Sequence, residues 1–122
     1  MPPNLVSKRG DVVLVLFPNS DLRTAKTRPA LIVQADRLET GLSQVIVAMN
    51  SSRILRANHP SRVTIHLDSP AGRQSGLLTD SVVMTDNLAT VVELAISEVI
   101  GFLPMPEIGT ALKHTLGLRA EN

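Results

Sequence analysis

The apolar residues of this chain are gathered into short runs rich in valine and isoleucine, and this pattern constrains the fold more than any other feature. "RGDVVLVLF" (residues 9–17), "PALIVQ" (29–34) and "SQVIVAM" (43–49) have the length and β-branched content of buried strands. "RVTIHLD" (62–68) alternates apolar and polar residues, which is typical of a strand with one buried face. Turn-forming residues separate these runs, so the first half of the chain predicts a series of strands.

The pattern changes only near the C-terminus. Further short strands are predicted in "LTDSVVMTDNL", "ATVVELAI" and "EVIGFL", while "SPAGRQSG" before them reads as a loop. From Pro106 the apolar residues recur every three or four positions, which favours a helix. Pro106 suits its first turn, Glu107 favours the helix dipole, and Gly117 suits the C-cap.

Short strands joined by turns, without alternating helices, favour an antiparallel sheet over a parallel one. We therefore expect a mainly β protein with a C-terminal helix, built as an antiparallel, partly closed barrel. We expect one domain over residues 1–122, with the barrel at about 9–104 and the helix at about 106–117.

Composition excludes several classes of protein. There is no cysteine for a disulfide framework or a thiolate metal site, and no apolar run approaches the roughly 20 residues that span a bilayer. The first ten residues contain no apolar core of a secretory signal, so we expect a cytoplasmic protein with no membrane contact. Phe17 and Phe102 are the only aromatic residues, so contact with RNA would depend on charge and hydrogen bonds rather than stacking.

The net charge of +1 hides an asymmetry. Residues 1–75 hold ten Lys/Arg against five Asp/Glu, and residues 76–122 hold two against six. The arginines at 53, 56, 62 and 73 cluster around one loop region, where they could form an anion-binding face. Equally, they could be solvated residues whose counter-charges come from the acidic second part. Charge alone does not decide between these two interpretations.

The familiar catalytic motifs are missing. His59, His66 and His114 are not at metal-ligand spacing, and His66 and His114 each read as an ordinary surface histidine. No sequence matches a phosphate-binding glycine loop, and no serine stands in a GxSxG elbow. The single clear helix carries one lysine, which is too little for a DNA-reading helix. We therefore expect no metal and no cofactor.

Polar residues at predicted strand ends remain. Arg28 opens the second strand, Asn50-Ser51-Ser52 closes the third, and Asp80, Ser81 and Asp86 surround the fifth. An arginine beside a hydroxyl can hold a phosphate through charge-assisted hydrogen bonds. RNA supplies its own nucleophile, the 2′-OH, so its cleavage needs only a base, a cation and an acid. The alternative is that these residues form plain turns.

The order and spacing of several stretches resemble a known family. "RGDVVLVLFP", "RPALIVQ", "VIVAMNSS", "GLLTDSVVMTDNLATV" and "VIGFLP" followed by a helix resemble the MazF/PemK toxins of type II toxin–antitoxin systems, over about residues 9–118. The resemblance implies an SH3-like β-barrel of the Kid type working as a homodimer. It also implies a metal-independent, sequence-specific endoribonuclease that cleaves single-stranded mRNA and is neutralised by a cognate acidic antitoxin.

The resemblance extends to single positions. Arg28 matches the family's active-site arginine, and we expect it to stabilise the phosphorane. Ser51 falls where relatives have a Thr or Ser, and we expect it to hold the scissile phosphate. Asp86 matches a position proposed in some members as the base for the 2′-OH. The residues expected to contact RNA are Lys26, Pro29, Asn50, Ser52, Arg53, Arg56 and His59.

The chain also departs from the family. Relatives carry an arginine where Met84 stands, or one where Ala89 stands, so the fifth-strand side of the site has less positive charge. Two alternatives therefore remain open. One is a toxin that binds a protein such as DNA gyrase, although "GLRAEN" at the C-terminus lacks an apolar anchor. The other is a protein that only binds antitoxin or RNA. Cleavage specificity is expected in the loops at 18–27 and 50–61.

Overall fold

The computed structural model describes residues 7–18 and 21–118, so the parts of the predictions that fall on residues 1–6, 19–20 (in the loop at 18–27) and 119–122 lie outside it. Six strands and two helices follow one another along the described chain. Single 3₁₀ turns lie at Ile54–Arg56 and Glu93–Ala95. The elements are β1 (Asp11–Pro18), β2 (Ala25–Ile32), β3 (Gln44–Ser51), β4 (Arg62–Ile65), α1 (Pro70–Ser75), β5 (Ser81–Val92), β6 (Ile96–Phe102) and α2 (Pro106–Leu116).

The strands form one antiparallel sheet in the order β4-β5-β3-β2-β1-β6. The prediction of a mainly β protein with a C-terminal helix is confirmed. Strands β4 and β6 are the two edges, and within the described residues no ladder joins them. The barrel is therefore open along one seam.

Helix α1 lies at that seam, because it follows β4 along the chain and packs against β6. The approach is backbone to backbone: a Cβ added at Gly101 of β6 would collide with the carbonyl oxygens of Gln74 and Ser75. A Cβ at Gly76 would likewise collide with the carbonyl oxygen of Ile100. Two glycines thus allow the helix to cover the seam.

The prediction of a loop over 69–76 is wrong, because the segment carries complete helix-capping signals. Ser69 Oγ accepts a hydrogen bond from Gly72 N at 3.0 Å, which caps the N-terminus. Pro70 occupies the first turn, and Gly76 ends the helix with φ 73°. The helix has six residues, which is too short for an apolar period to be visible in the sequence.

Apolar side chains pack on both faces of the sheet. Val12 and Val13 are neighbours in β1, yet each belongs to a different core cluster because successive side chains point to opposite faces. Ile108 and Ala111 of α2 complete the first cluster. The same helix is tied to β5 by a hydrogen bond of 2.7 Å between the Thr115 and Thr85 hydroxyls.

Two predicted strand boundaries are wrong in a way that affects the site. β2 begins at Ala25 rather than Pro29, because its first residues pair with β1 in a hairpin. The segments predicted as two strands over 78–96 are mostly one strand, β5. Its ladder with β3 jumps from Met84 to Leu88. The turn-forming pair Asp86-Asn87 therefore produces a bulge instead of a chain reversal.

Candidate active site

A groove opens where β2 and β3 separate. Their last ladder pair is Ala30 with Met49, and continuing this register by two residues sets Arg28 opposite Ser51. Beyond Met49, β3 stays paired with β5, where Ser51 lies opposite Val82. Since β3 stays with β5 while β2 continues beside β1, the gap between them becomes a groove of about 810 Å³.

The groove is lined by two sets of side chains, called here the basic wall and the apolar wall. Lys26 and Arg28 of β2 line it together with Arg53 and Arg56 from the β3–β4 loop. The apolar wall consists of side chains from the segment after α1, from β1 and from β6: Leu77, Leu78, Leu14 and Ile100. A groove of this kind suits a chain of phosphates along one side and base or side-chain surface along the other.

Ser51 lines the groove, and its hydroxyl is held by the backbone of Arg53 and the side chain of Arg56. Its Oγ accepts a hydrogen bond from the Arg53 backbone N–H at 3.1 Å and another from Arg56 Nη1 at 3.5 Å. Both bonds use lone pairs of the oxygen, so its hydrogen stays available to donate to a phosphate oxygen. The end of β3, for which a plain turn was the alternative interpretation, thus presents a fixed hydroxyl.

Asn50, beside Ser51, has a buried carboxamide without a hydrogen-bond partner in the described part of the chain. This holds for both its nitrogen and its oxygen. An unpaired amide group costs about 1–3 kcal/mol of stability. Because Asn50 also lines the groove, its unused donor and acceptor stand next to the place where a ligand would bind.

Asp86 lies on the β5 bulge and is bound to an arginine of β4. Arg62 Nη2 donates to Asp86 Oδ2 at 2.9 Å, and Arg62 Nε donates to Oδ1 at 3.4 Å. These hydrogen bonds from Arg62 hold the pKa of the Asp86 carboxyl below its usual range. The neighbouring Asn87 lines the groove, whereas Asp86 is not one of the lining residues.

The comparisons with known proteins show the family and the fold. The family model of PemK-like, MazF-like toxins of type II toxin–antitoxin systems matches residues 8–115. The chain belongs to this toxin family. Among solved structures, an endoribonuclease in complex with its cognate antitoxin from a mycobacterial species has a TM-score of 0.70 at 23% identity, covering 95% of this chain and 100% of the other.

Two further solved structures have the same fold. The Mycobacterium tuberculosis toxin MazF-mt6 gives a TM-score of 0.70 at 22% identity, covering 90% of this toxin and 99% of that chain. The MazE–MazF structure (Form-II) from Deinococcus radiodurans gives a TM-score of 0.69 at 18% identity, covering 93% of this toxin and 98% of that chain. At such identities the likeness establishes the fold.

Two histidines named in the sequence analysis have structural contacts in the toxin. His59 Nδ1 accepts a hydrogen bond from the Ser61 backbone N–H at 3.1 Å, and its ring stands edge-on to His114 with centroids 6.1 Å apart. His66 is exposed, and its Nδ1 lies 3.5 Å from Asp80 Oδ2.

Throughout residues 7–18 and 21–118, no three His, Asp or Glu side chains are grouped as metal ligands. Neither described helix has the length and apolarity needed to cross a membrane.

The groove brings together most, but not all, of the predicted site residues. Asp86 and His59 are outside its lining. Leu77, Leu78 and Ile100 were missed, because their wall depends on α1, a segment predicted as a loop. No short motif marks that wall, and only the capping residues around α1 could have revealed it. The predicted residues that line the groove are Lys26, Arg28, Pro29, Asn50, Ser51, Ser52, Arg53 and Arg56.

Proposed function

We propose that this toxin is a sequence-specific, metal-independent endoribonuclease that cleaves single-stranded mRNA in the groove between β2 and β3. The observation that carries the proposal is the opposition of Arg28 and Ser51 at the point where the two strands separate, within a groove that has a basic wall. A guanidinium and a hydroxyl aimed into one groove are the groups that bind a phosphodiester.

The chemistry follows from this pair. The RNA 2′-oxygen gives up its proton and attacks the adjacent phosphorus, and the bond from phosphorus to the 5′-oxygen breaks. The 5′-oxygen takes up a proton, leaving a 2′,3′-cyclic phosphate and a free 5′-hydroxyl. Arg28 stabilises the negative charge of the phosphorane, and Ser51 holds a non-bridging oxygen of the scissile phosphate. The role of Asp86 as the base for the 2′-OH stays a prediction.

The partners follow from the same groove. We propose a cognate antitoxin with an extended acidic segment, because carboxylates complement the four cations of the basic wall as phosphates do. Solved relatives include an endoribonuclease bound to its cognate antitoxin. We further propose that the toxin acts as a homodimer in the cytoplasm, as the sequence resemblance implies.

One experiment tests the activity directly. Purified wild type, Arg28→Ala and Arg73→Ala are treated with EDTA and incubated with a long single-stranded RNA. Arg73→Ala is the matched control, because it removes the same charge from α1, outside the groove. We expect discrete cleavage by the wild type and the control and none by Arg28→Ala. Intact RNA after incubation with folded wild type would contradict the proposal and favour a toxin that acts only by binding.

A further inference from the structure

Arg56 brings a guanidinium to the Ser51 hydroxyl from the β3–β4 loop, in the groove that Arg28 also lines. It belongs to the 3₁₀ turn Ile54–Arg56 in the loop between β3 and β4. Its Nη1 lies 3.5 Å from Ser51 Oγ and 3.8 Å from Met84 Sδ. Arg56 therefore places a positive charge in the groove beside Met84, the β5 residue that has no charge of its own.

A chain of hydrogen bonds holds this turn in place. Arg62 Nη1 donates to the backbone carbonyl oxygen of Arg56 at 3.0 Å. The same Arg62 guanidinium donates to both carboxylate oxygens of Asp86. Within the turn, Ala57 N donates to the carbonyl oxygen of Ile54 at 2.9 Å. Asp86 thus orients Arg62, and Arg62 orients the backbone that carries Arg56.

The same contacts make Asp86 a poor proton acceptor. Each of its oxygens already accepts a hydrogen bond from Arg62, and Asp86 does not line the groove in which the RNA would lie. Arg62 also holds the pKa of this carboxyl below its usual range, which weakens it further as a base. The Asp86 carboxylate instead orients Arg62, and Arg62 in turn holds the β3–β4 loop through the carbonyl oxygen of Arg56.

We propose that Arg56 is the second phosphate-binding cation of the groove, and that the Asp86–Arg62 ion pair positions it. The inference rests on the proposed function and deepens it. Arg28 reaches the groove from β2, and Arg56 reaches it from the β3–β4 loop. Two guanidinium groups that come from different elements can share the charge that develops on the non-bridging oxygens.

The first test removes the cation. The wild-type cut site is mapped on a long single-stranded RNA, and kcat and KM are then measured on a short oligonucleotide containing that site. Removing one preorganised donor of this kind lowers kcat about 10²–10³-fold, and we expect this for Arg56→Ala. The kcat of Arg56→Lys should lie between those of wild type and Arg56→Ala, because lysine keeps the positive charge but lacks the paired N–H donors of the guanidinium. Arg73→Ala is again the control and should match the wild type.

The second test separates positioning from proton transfer. If Asp86 acts through Arg56, the double variant Asp86→Asn/Arg56→Ala should be no slower than Arg56→Ala alone. The pH profile of kcat for Asp86→Asn should keep the wild-type shape at a lower plateau. If Asp86 is the general base, the two losses multiply and Asp86→Asn removes the acidic limb of the profile.

The outcomes are distinguishable. Intact RNA from folded wild type overturns the proposed function and, with it, this inference. Cleavage by the wild type together with an unchanged kcat in Arg56→Ala overturns the inference alone. Multiplying losses in the double variant overturn the positioning role of Asp86. Arg56 is exposed and in a loop, so its variants should fold, and thermal melting checks that they do.

Discussion

Arg28 of β2 and Ser51 of β3 occupy opposing positions two residues beyond the last ladder pair of their strands. Their opposition is set by the backbone register, so it does not depend on a flexible loop. A site built on strands holds its groups more precisely than one built on loops. The backbone positions that carry the cation and the hydroxyl are therefore fixed, as the proposed phosphate site requires.

Arg28→Lys should retain the fold and lose most of the activity. Lysine keeps the positive charge but not the two parallel N–H donors that match phosphate oxygens. A hydrogen bond to a charged group contributes about 1.5–3 kcal/mol, so kcat should fall about tenfold to a hundredfold. Steady-state kinetics with the mapped RNA substrate measure this fall in kcat. Lys26→Arg, the reverse exchange at another cation of the basic wall, is the matched control. Equal rates for Arg28→Lys and wild type would contradict a forked contact.

Two glycine substitutions should have opposite effects on stability. A Cβ at Gly101 would collide with the backbone of α1, so Gly101→Ala should lower the free energy of unfolding by about 1–3 kcal/mol or more. Gly109 lies within α2 with nothing within 4 Å of an added Cβ, so Gly109→Ala should raise it by about 0.5–1 kcal/mol. Urea unfolding of both variants gives the comparison. A harmless Gly101→Ala would mean that α1 does not pack tightly on β6.

The sequence was sufficient to predict the strand content, the helix near Pro106 and the placement of Arg28 and Ser51 at neighbouring strand ends. Periodicity and chain order carry that information. It was insufficient for α1, whose six residues are too few to show a period. It also could not reveal that Asp86 is bound to Arg62, since the two lie on different strands and 24 residues apart. Contacts of that kind depend on the sheet register, which local patterns do not encode.

Asn50→Leu should make the toxin more stable and less active. Leucine has the same number and branching of side-chain heavy atoms as asparagine, and the substitution removes a buried amide whose two polar atoms have no partner among the described residues. We expect the free energy of unfolding to rise by about 1–3 kcal/mol. If the amide contacts RNA in the groove, kcat/KM should fall at the same time. Asn87→Leu, an exposed change at the rim of the groove, controls for added apolar surface.

The result that would contradict this prediction is a loss of stability in Asn50→Leu with unchanged cleavage. It would mean that the amide has a partner in solution, such as an ordered water, and no role with RNA. Denaturant unfolding and cleavage kinetics on the same preparation separate the two effects.

The Asp86–Arg62 pair should make stability depend on pH on the acidic side. Arg62 lowers the pKa of Asp86 in the folded state, so the unfolded chain binds its proton more readily. The stabilisation from this group is therefore present above the unfolded pKa of about 3.9 and is lost as the pH falls through the lower, folded value. The difference in melting temperature between wild type and Asp86→Asn should be largest near neutral pH and should narrow on acidification.

Other carboxylates act in the same direction, so the comparison must be made between variants and not from the wild type alone. Backbone N–H groups lower the pKa of Asp21 and Asp80, and both remain in Asp86→Asn. Asp68→Asn is the matched control, because Asp68 is exposed and has no ion pair within the described residues. A wild-type advantage over Asp86→Asn that stays constant from neutral to acidic pH would mean that Asp86 stabilises the fold by packing. If the melting-temperature advantage of wild type instead narrows on acidification against Asp86→Asn but not against Asp68→Asn, the charge of Asp86, acting on Arg62, holds the β3–β4 loop.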